Sequence, residues 1–267
     1  MTYIKTAGRK GRGKTMQECY AYGDTLARVY HEALECLYEQ GVLVDCPDYN
    51  TTQKEVSMTM FVEEPLKEPM ISKMIPCGTR ELEQYRMEML DGILDFEVKN
   101  GKWDYTYHER MVDQFDFIVR ELRRNPDSRR AVILVRDNKK DMYSSDPACL
   151  QHIQYFIRDG KLHCKVLFRS NDAVKASYMN AFALIMLQKR FAEWLDVEMG
   201  TYTHRANSYH VYERDFELLK SYVHRIREAV CKHDRQSLTY NYEGDWKEMM
   251  DEEQESILAD VDKLKGR

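Results

Sequence analysis

Residues 146–184 read DPACLQHIQYFIRDGKLHCKVLFRSNDAVKASYMNAFAL, and the order of elements in this stretch decides the fold. HIQYFIR and KLHCKVLF are apolar-rich runs on either side of Asp159-Gly160, a dipeptide suited to a two-residue turn with positive φ, so a β-hairpin is expected. The following run, ASYMNAFALIMLQKRFAEWL (176–195), is the longest and most apolar helical pattern in the chain. A helix that is apolar nearly all round belongs at the centre of a domain.

Working outward, TLARVYHEALECLYEQ (25–40) carries Leu26, Val29, Tyr30, Ala33, Leu34 and Leu37 at helical spacing and stops at Gly41. DCPDYNTTQ (45–53) reads as a loop, and VSMTMFVEEP (56–65) as a strand that ends at Pro65. RELEQYRMEMLDG (80–92) is helical, as is VDQFDFIVRELRRN (112–125), with Phe115, Ile118, Val119 and Leu122 on one face. AVILVRD (131–137) and EMGTYTHRANSYHVYERDF (198–216) have β character, and the charged segment 245–267 reads as a surface helix. Residues 1–18 are expected to be a flexible basic lead-in. Residues 19–267 are expected to form one α+β domain, a mixed β-sheet packed by helices around the long apolar helix.

The whole chain has 267 residues, 40 Lys+Arg against 45 Asp+Glu, and a net charge of −5, which gives no reason to expect a polyanionic partner such as nucleic acid. No run approaches the length of a membrane span, and MTYIKTAGRKGRGK lacks the apolar segment of a secretory signal, so a cytoplasmic location is expected. Seven scattered cysteines, without CxxC pairs, argue against a disulfide framework and a structural zinc site. Gly8–Thr15 satisfies the phosphate-loop pattern GxxxxGK[ST], but no buried strand precedes it. A nucleotide triphosphatase is therefore the contrasting hypothesis, and a basic terminus the simpler one.

Cys149 follows a tight turn and precedes an apolar strand, a position that holds a side chain rigidly at a pocket edge. About 20 residues on, the hairpin delivers Arg169-Ser170-Asn171-Asp172; Arg129-Arg130 lies upstream, and Ser208, His210 and Tyr212 downstream. Each has an ordinary structural explanation alone. Together they suit a phosphate-bearing substrate, because arginines bond phosphate oxygens in pairs and their field would lower the pKa of a nearby thiol.

In order and spacing, PDSRR (126–130), PACLQ (147–151), RSND (169–172), Asn180 in YMNAFAL and SYHVY (208–212) resemble the thymidylate synthase family, which includes pyrimidine nucleotide hydroxymethylases. The resemblance covers residues 126–215 and implies a homodimeric enzyme that takes dUMP and 5,10-methylenetetrahydrofolate, with no metal. It implies that Cys149 adds to C6 of the uracil ring, so that C5 becomes the nucleophile toward the one-carbon unit. Arg169 and Ser170 would hold the 5′-phosphate, with Arg129 and Arg130 reaching across from the second subunit. Asn180 would read the pyrimidine edge, donating to O4 and accepting from N3–H. His210 and Tyr212 would bond the sugar hydroxyl, and Asp172 would anchor the pterin. The family also implies a tyrosine near the nucleophile, for which Tyr107 fits, and a proton-relaying glutamate. Glu81, Glu83 and Glu88 are the candidates for that glutamate, with Glu88 chosen for its place just before Gly92.

The sequence departs from the family pattern at Leu150, where many members carry His, and at KASYM before Asn180. It offers only Lys54 where an N-terminal arginine is usual, and it ends in LADVDKLKGR rather than a short apolar tail. Loss of that tail raises the expectation of hydroxymethylation, since water would reach the intermediate. Methylation of dUMP to dTMP stays ahead of dUMP hydroxymethylation, and Asn180 makes a dCMP hydroxymethylase the least favoured of the three.

Overall fold

A computed structural model describes residues 15–266. In chain order the elements are β1 (Glu18–Gly23), α1 (Leu26–Gln40), β2 (Val42–Cys46), β3 (Thr51–Val62), β4 (Ile71–Ser72), α2 (Thr79–Asp91), α3 (Asp95–Lys99), α4 (Tyr107–Met111) and α5 (Phe115–Arg124). Then come β5 (Val132–Leu134), α6 (Asn138–Asp141), β6 (Leu150–Arg158), β7 (Lys161–Asp172), α7 (Ser177–Leu195), β8 (Glu198–Tyr212), α8 (Phe216–Cys231), β9 (Thr239–Tyr240) and α9 (Lys247–Lys265).

The hairpin forms as its turn chemistry dictates: Asp159 and Gly160 have φ of 52° and 72°, and β6 pairs antiparallel with β7. It belongs to a mixed seven-stranded sheet, ordered β1-β3-β8-β7-β6-β5, with β2 also paired to β3. The β7–β8 and β1–β3 pairs are parallel and the others antiparallel. The connection between parallel strands β7 and β8 is α7, which buries most of its residues from Ser177 to Ala192 and occupies the centre as its apolar circumference requires. Tyr30, Tyr155, Tyr202 and Tyr209 are fully buried, so much of the polar-looking tyrosine content is core. Fully burying one large apolar side chain contributes roughly 1.5–3 kcal/mol.

Four segments depart from the sequence reading. The expected loop 45–53 is mostly strand, because β2 turns through Pro47–Tyr49 and pairs antiparallel with the start of β3. β1 and α8 carried no recognised signal; β1 begins at Glu18, the last residue of the expected lead-in, and its partner β3 is distant in sequence. The C-terminal helix α9 is charged but anchored, burying Met250, Ile257 and Val261 and salt-bridging Glu253 and Asp260 to Arg80 at the start of α2. The phosphate-loop pattern lies, but for Thr15, outside the described residues. No described helix is long and apolar enough to cross a membrane, and no described cluster of His, Cys, Asp and Glu could hold a metal ion.

Candidate active site

Cys149 sits immediately before β6, where the ladder slips register between Leu150 and His152. Such a bulge bends a strand and re-aims its side chains. The thiol is partly buried, and its backbone carbonyl accepts from the Arg169 N–H at 2.8 Å. Around it stand five tyrosines, Tyr49, Tyr85, Tyr105, Tyr107 and Tyr212, each of whose phenols lies within electrostatic range of a Cys149 thiolate. The Tyr107 hydroxyl, on the first turn of α4, accepts from the Leu150 N–H at 3.4 Å and so lies against the nucleophile's turn. Burial holds the Tyr107 phenol well above its ordinary pKa.

The thiol itself is raised rather than lowered. Burial is the largest cause; Arg169 acts in the expected downward direction, and Asp146 opposes it. The expectation that arginines activate the thiol is thus met only by Arg169, and burial outweighs it. Arg129 and Arg130 are exposed near the start of β5, and neither contributes to the electrostatics of Cys149 within one chain.

Beside the thiol opens a cleft of about 510 Å³ lined by Tyr85, Glu88, Trp103, Asp104, Tyr105 and Asp146, among others. Glu88 is the one of the three glutamates that faces it. Burial raises its carboxyl, and Gln84 Nε2 donates to it at 2.9 Å. Glu81 is spent on the start of α2, accepting the Gly78 N–H at 2.9 Å, and Glu83 is buried in an ion pair with Arg86 at 2.6 Å. Tyr85, one turn before Glu88, donates its hydroxyl proton to Oδ1 of Asn180, which projects from the first turns of α7 and is buried.

A second group of polar residues gathers where β3, β7 and β8 meet. Ser170 Oγ lies 3.5 Å from His210 Nδ1, and Ser208 donates to Glu55 at 2.6 Å. The His210 ring packs edge-on against Tyr212, and its buried Nε2 has no hydrogen-bond partner among the described residues. Burial lowers the His210 pKa against the pull of Asp172, so the ring is neutral near pH 7. Asp172 belongs to this group, and it does not line the cleft: its Oδ1 accepts the N–H groups of Val174 and Lys175, both at 3.0 Å, capping the turn into α7.

Tyr107 and Glu88 therefore line the cleft, while Cys149, Arg169 and Asn180 stand behind it, tied to its lining through Tyr107, the Pro147–Ala148 turn and Tyr85, with Ser170, His210, Tyr212 and Asp172 at the neighbouring strand ends. Tyr85, Tyr105, Tyr49, Asp146 and Glu55 were not singled out from the sequence. Only Tyr85 had a local signal, since it shares a helix face with Glu88 and Met89 at spacings of three and four residues.

The thymidylate synthase family model matches residues 80–253. A protein of Methanocaldococcus jannaschii, provisionally named a thymidylate synthase, is 32% identical over 207 residues, covering 74% of this chain and 93% of the relative. Thymidylate synthase 1 of Bacillus subtilis strain 168 is 28% identical over 182 residues, covering 65% of this chain and 64% of its own. The solved structure of the thermostable thymidylate synthase A from Bacillus subtilis superposes with a TM-score of 0.60 at 18% identity, covering 75% of this chain and 84% of that one, and so shares the fold.

Proposed function

Because the chain belongs to the thymidylate synthase family, methyl-transferring enzymes that use methylenetetrahydrofolate as co-substrate, we propose that it converts dUMP to dTMP through a covalent adduct on Cys149. The observation that carries this reading is the pairing of one rigidly held thiol with a buried amide, Asn180, across a tyrosine-lined cleft.

The thiol is deprotonated on attack, and its sulfur adds to C6 of the uracil ring as the C5–C6 π electrons move toward O4. Asn180 Nδ2 donates to O4, where this negative charge develops, which is where a fixed donor accelerates reaction most. C5 would then take the one-carbon unit from bound folate; loss of the C5 proton would expel the folate nitrogen from that carbon, hydride from the folate would reduce the carbon to a methyl group, and departure of sulfur from C6 would restore the ring. Tyr107 is aimed at the nucleophile's turn and suits proton transfer at C5; Glu88, with its raised pKa, suits proton exchange at the O4 side. Among the described residues Arg169 Nη1 has no partner beyond the two nitrogens spent on backbone, and with Ser170 it would hold the phosphate, with His210 and Tyr212 at the sugar. The residues beside the thiol fit a folate: Trp103 and Tyr105 offer flat apolar faces, and Asp104 and Asp146 offer acceptors for pterin N–H groups. When bound, the folate supplies the carbon and the hydride that reduces it to a methyl group. Asp172, at the neighbouring strand ends and off this cleft, spends Oδ1 on its turn and has Oδ2 left over among the described residues.

A homodimer is part of the proposal. The outward sheet face carries Tyr20, exposed at 58%, with Tyr22 and Phe61 toward one edge and Leu134, exposed at 61%, with Phe156 toward the other, and Arg205 and His152 lie among these apolar groups, a mixed face suited to a second copy. Such packing would give Arg129 and Arg130 a partner site to serve. The remaining reading, formation of 5-hydroxymethyl-dUMP, is favoured by one observation: α9 packs along α2 and lines none of the cleft, which stays open at Trp103.

Incubation with dUMP and methylenetetrahydrofolate, followed by mass spectrometry, tests both. Thymidylate with dihydrofolate supports the proposal; hydroxymethyl-dUMP with tetrahydrofolate supports the second reading; no product from dUMP defeats both.

A further inference from the structure

We infer that Tyr85 is a specificity-determining residue: its hydroxyl fixes the side-chain amide of Asn180 so that the N–H end faces the nucleotide, favouring a pyrimidine with a carbonyl at C4 over one with an amino group. The inference rests on the proposed role of Asn180 as the pyrimidine reader.

An asparagine amide is nearly symmetric in shape and opposite in polarity at its two ends, so whichever end a neighbour holds decides what the other can recognise. Tyr85 reaches Asn180 from α2 while Asn180 itself rises from α7, so the hydrogen bond joins two elements that pack together. With Oδ1 accepting the phenol O–H, Nδ2 is left to donate to O4 of uracil, and the second lone pair of Oδ1 can still accept N3–H. Cytosine presents the reverse pattern, an amino donor at C4 and a bare N3 acceptor. To meet it the amide would have to flip, facing its N–H groups to Tyr85 and leaving the phenol proton without its acceptor.

Glu88, within electrostatic range of Tyr85, already accepts from Gln84. Burial raises the Tyr85 phenol far above its ordinary pKa, so it remains a donor throughout the working pH range. Leu150, beside the nucleophile, is wholly buried and apolar and cannot share in orienting the amide. Leaving one polar group unpaired in such a site corresponds to about tenfold in affinity or more.

The test is the affinity for dUMP and for dCMP, measured calorimetrically on the full chain for the wild type, Tyr85→Phe, Asn180→Ala and the double variant, with circular dichroism as the check on folding. Tyr85→Phe, which removes only the hydroxyl, is expected to lower the dUMP-over-dCMP ratio about tenfold. In the Asn180→Ala background the same change should leave the ratio where it is, which a merely structural tyrosine would have no reason to do. A wild type that prefers dUMP and a Tyr85→Phe variant that keeps that preference within about twofold overturn the inference while leaving the reading of Asn180 intact. A wild type that does not distinguish the two nucleotides overturns that reading and the inference with it. Should Tyr85→Phe not fold, Tyr85→Leu is read by the same ratio.

Discussion

The guanidinium of Arg169 is bonded to the turn that presents Cys149, donating from Nε to the Ala148 carbonyl at 3.2 Å and from Nη2 to the Pro147 carbonyl at 2.6 Å. One side chain thus fixes the position of the nucleophile and supplies the charge that opposes its burial. Lysine carries the same charge but cannot span two carbonyls in a planar fork.

Arg169→Lys is therefore expected to raise the thiol pKa further and to slow alkylation of Cys149 by iodoacetamide at pH 7.5 severalfold, read by peptide mass spectrometry. Cys149→Ser should give no adduct at this position and no turnover. An unchanged alkylation rate in Arg169→Lys would remove Arg169 from the activation of the thiol.

Tyr107→Phe deletes a hydroxyl at the nucleophile's turn and leaves the ring in place. If that hydroxyl moves a proton in the reaction, kcat should fall by about 10²-fold or more while the dissociation constant for dUMP moves little. Equal losses in kcat and binding would instead assign Tyr107 to holding the turn.

Two histidines make the fold acid-sensitive. His31 and His204 are buried and hydrogen-bonded, to Ser72 in the first case and to Tyr202 and Asn171 in the second, and burial lowers both to a pKa of about 3. Between their unfolded value near 6.5 and about 3, the unfolded chain binds protons that the folded chain excludes. Stability is therefore full above about pH 6.5 and falls as the pH drops, by about 1.4 kcal/mol per pH unit for each histidine. Urea unfolding from pH 7 to 4.5 should show this slope, and His31→Gln should reduce it by one proton's worth.

Gly92 ends α2 with φ of 63°, and a Cβ there would run into the ring of His108 and the carboxylate of Asp95, which are hydrogen-bonded to one another at 2.6 Å. Gly92→Ala combines backbone strain with that clash, so a loss of about 2 kcal/mol or more is expected by chemical denaturation. Because His108 follows Tyr107 on α4, activity should fall further than stability alone accounts for.

Phe156→Glu places a charge on the outward sheet face, near the hairpin end of β6. A dimer formed through that face should become a monomer by light scattering, and Arg130→Ala should raise the KM for dUMP without changing assembly. A variant that stays dimeric would move the interface elsewhere.

The hairpin, α7 and α2 were legible in the sequence because their signals are local: a turn dipeptide, an all-round apolar period, and a one-sided one. The motifs carrying Cys149, Arg169, Asn180 and His210 were legible because their residue types sit at fixed places in one ordered stretch. β1 was not, since its one partner among the described residues is parallel and lies across α1 and β2, and neither was the strand pair built from the expected loop at 45–53.

What the sequence offered alone was an inventory: turn chemistry and apolar periodicity within short windows placed the hairpin and the central helix, and the family resemblance singled out one thiol, its arginine and the asparagine of that helix. Only the tertiary structure decided how that inventory is wired. Of three glutamates on one helix, packing spends Glu81 on the helix start and Glu83 on Arg86, leaving Glu88 to the cleft. The same packing of α2 on α7 brings Tyr85 to Asn180 across 95 residues of chain, a contact that no local pattern encodes. It also sets the protonation of the thiol, because desolvation depends on what surrounds a group in space, and here burial outweighs the neighbouring arginine.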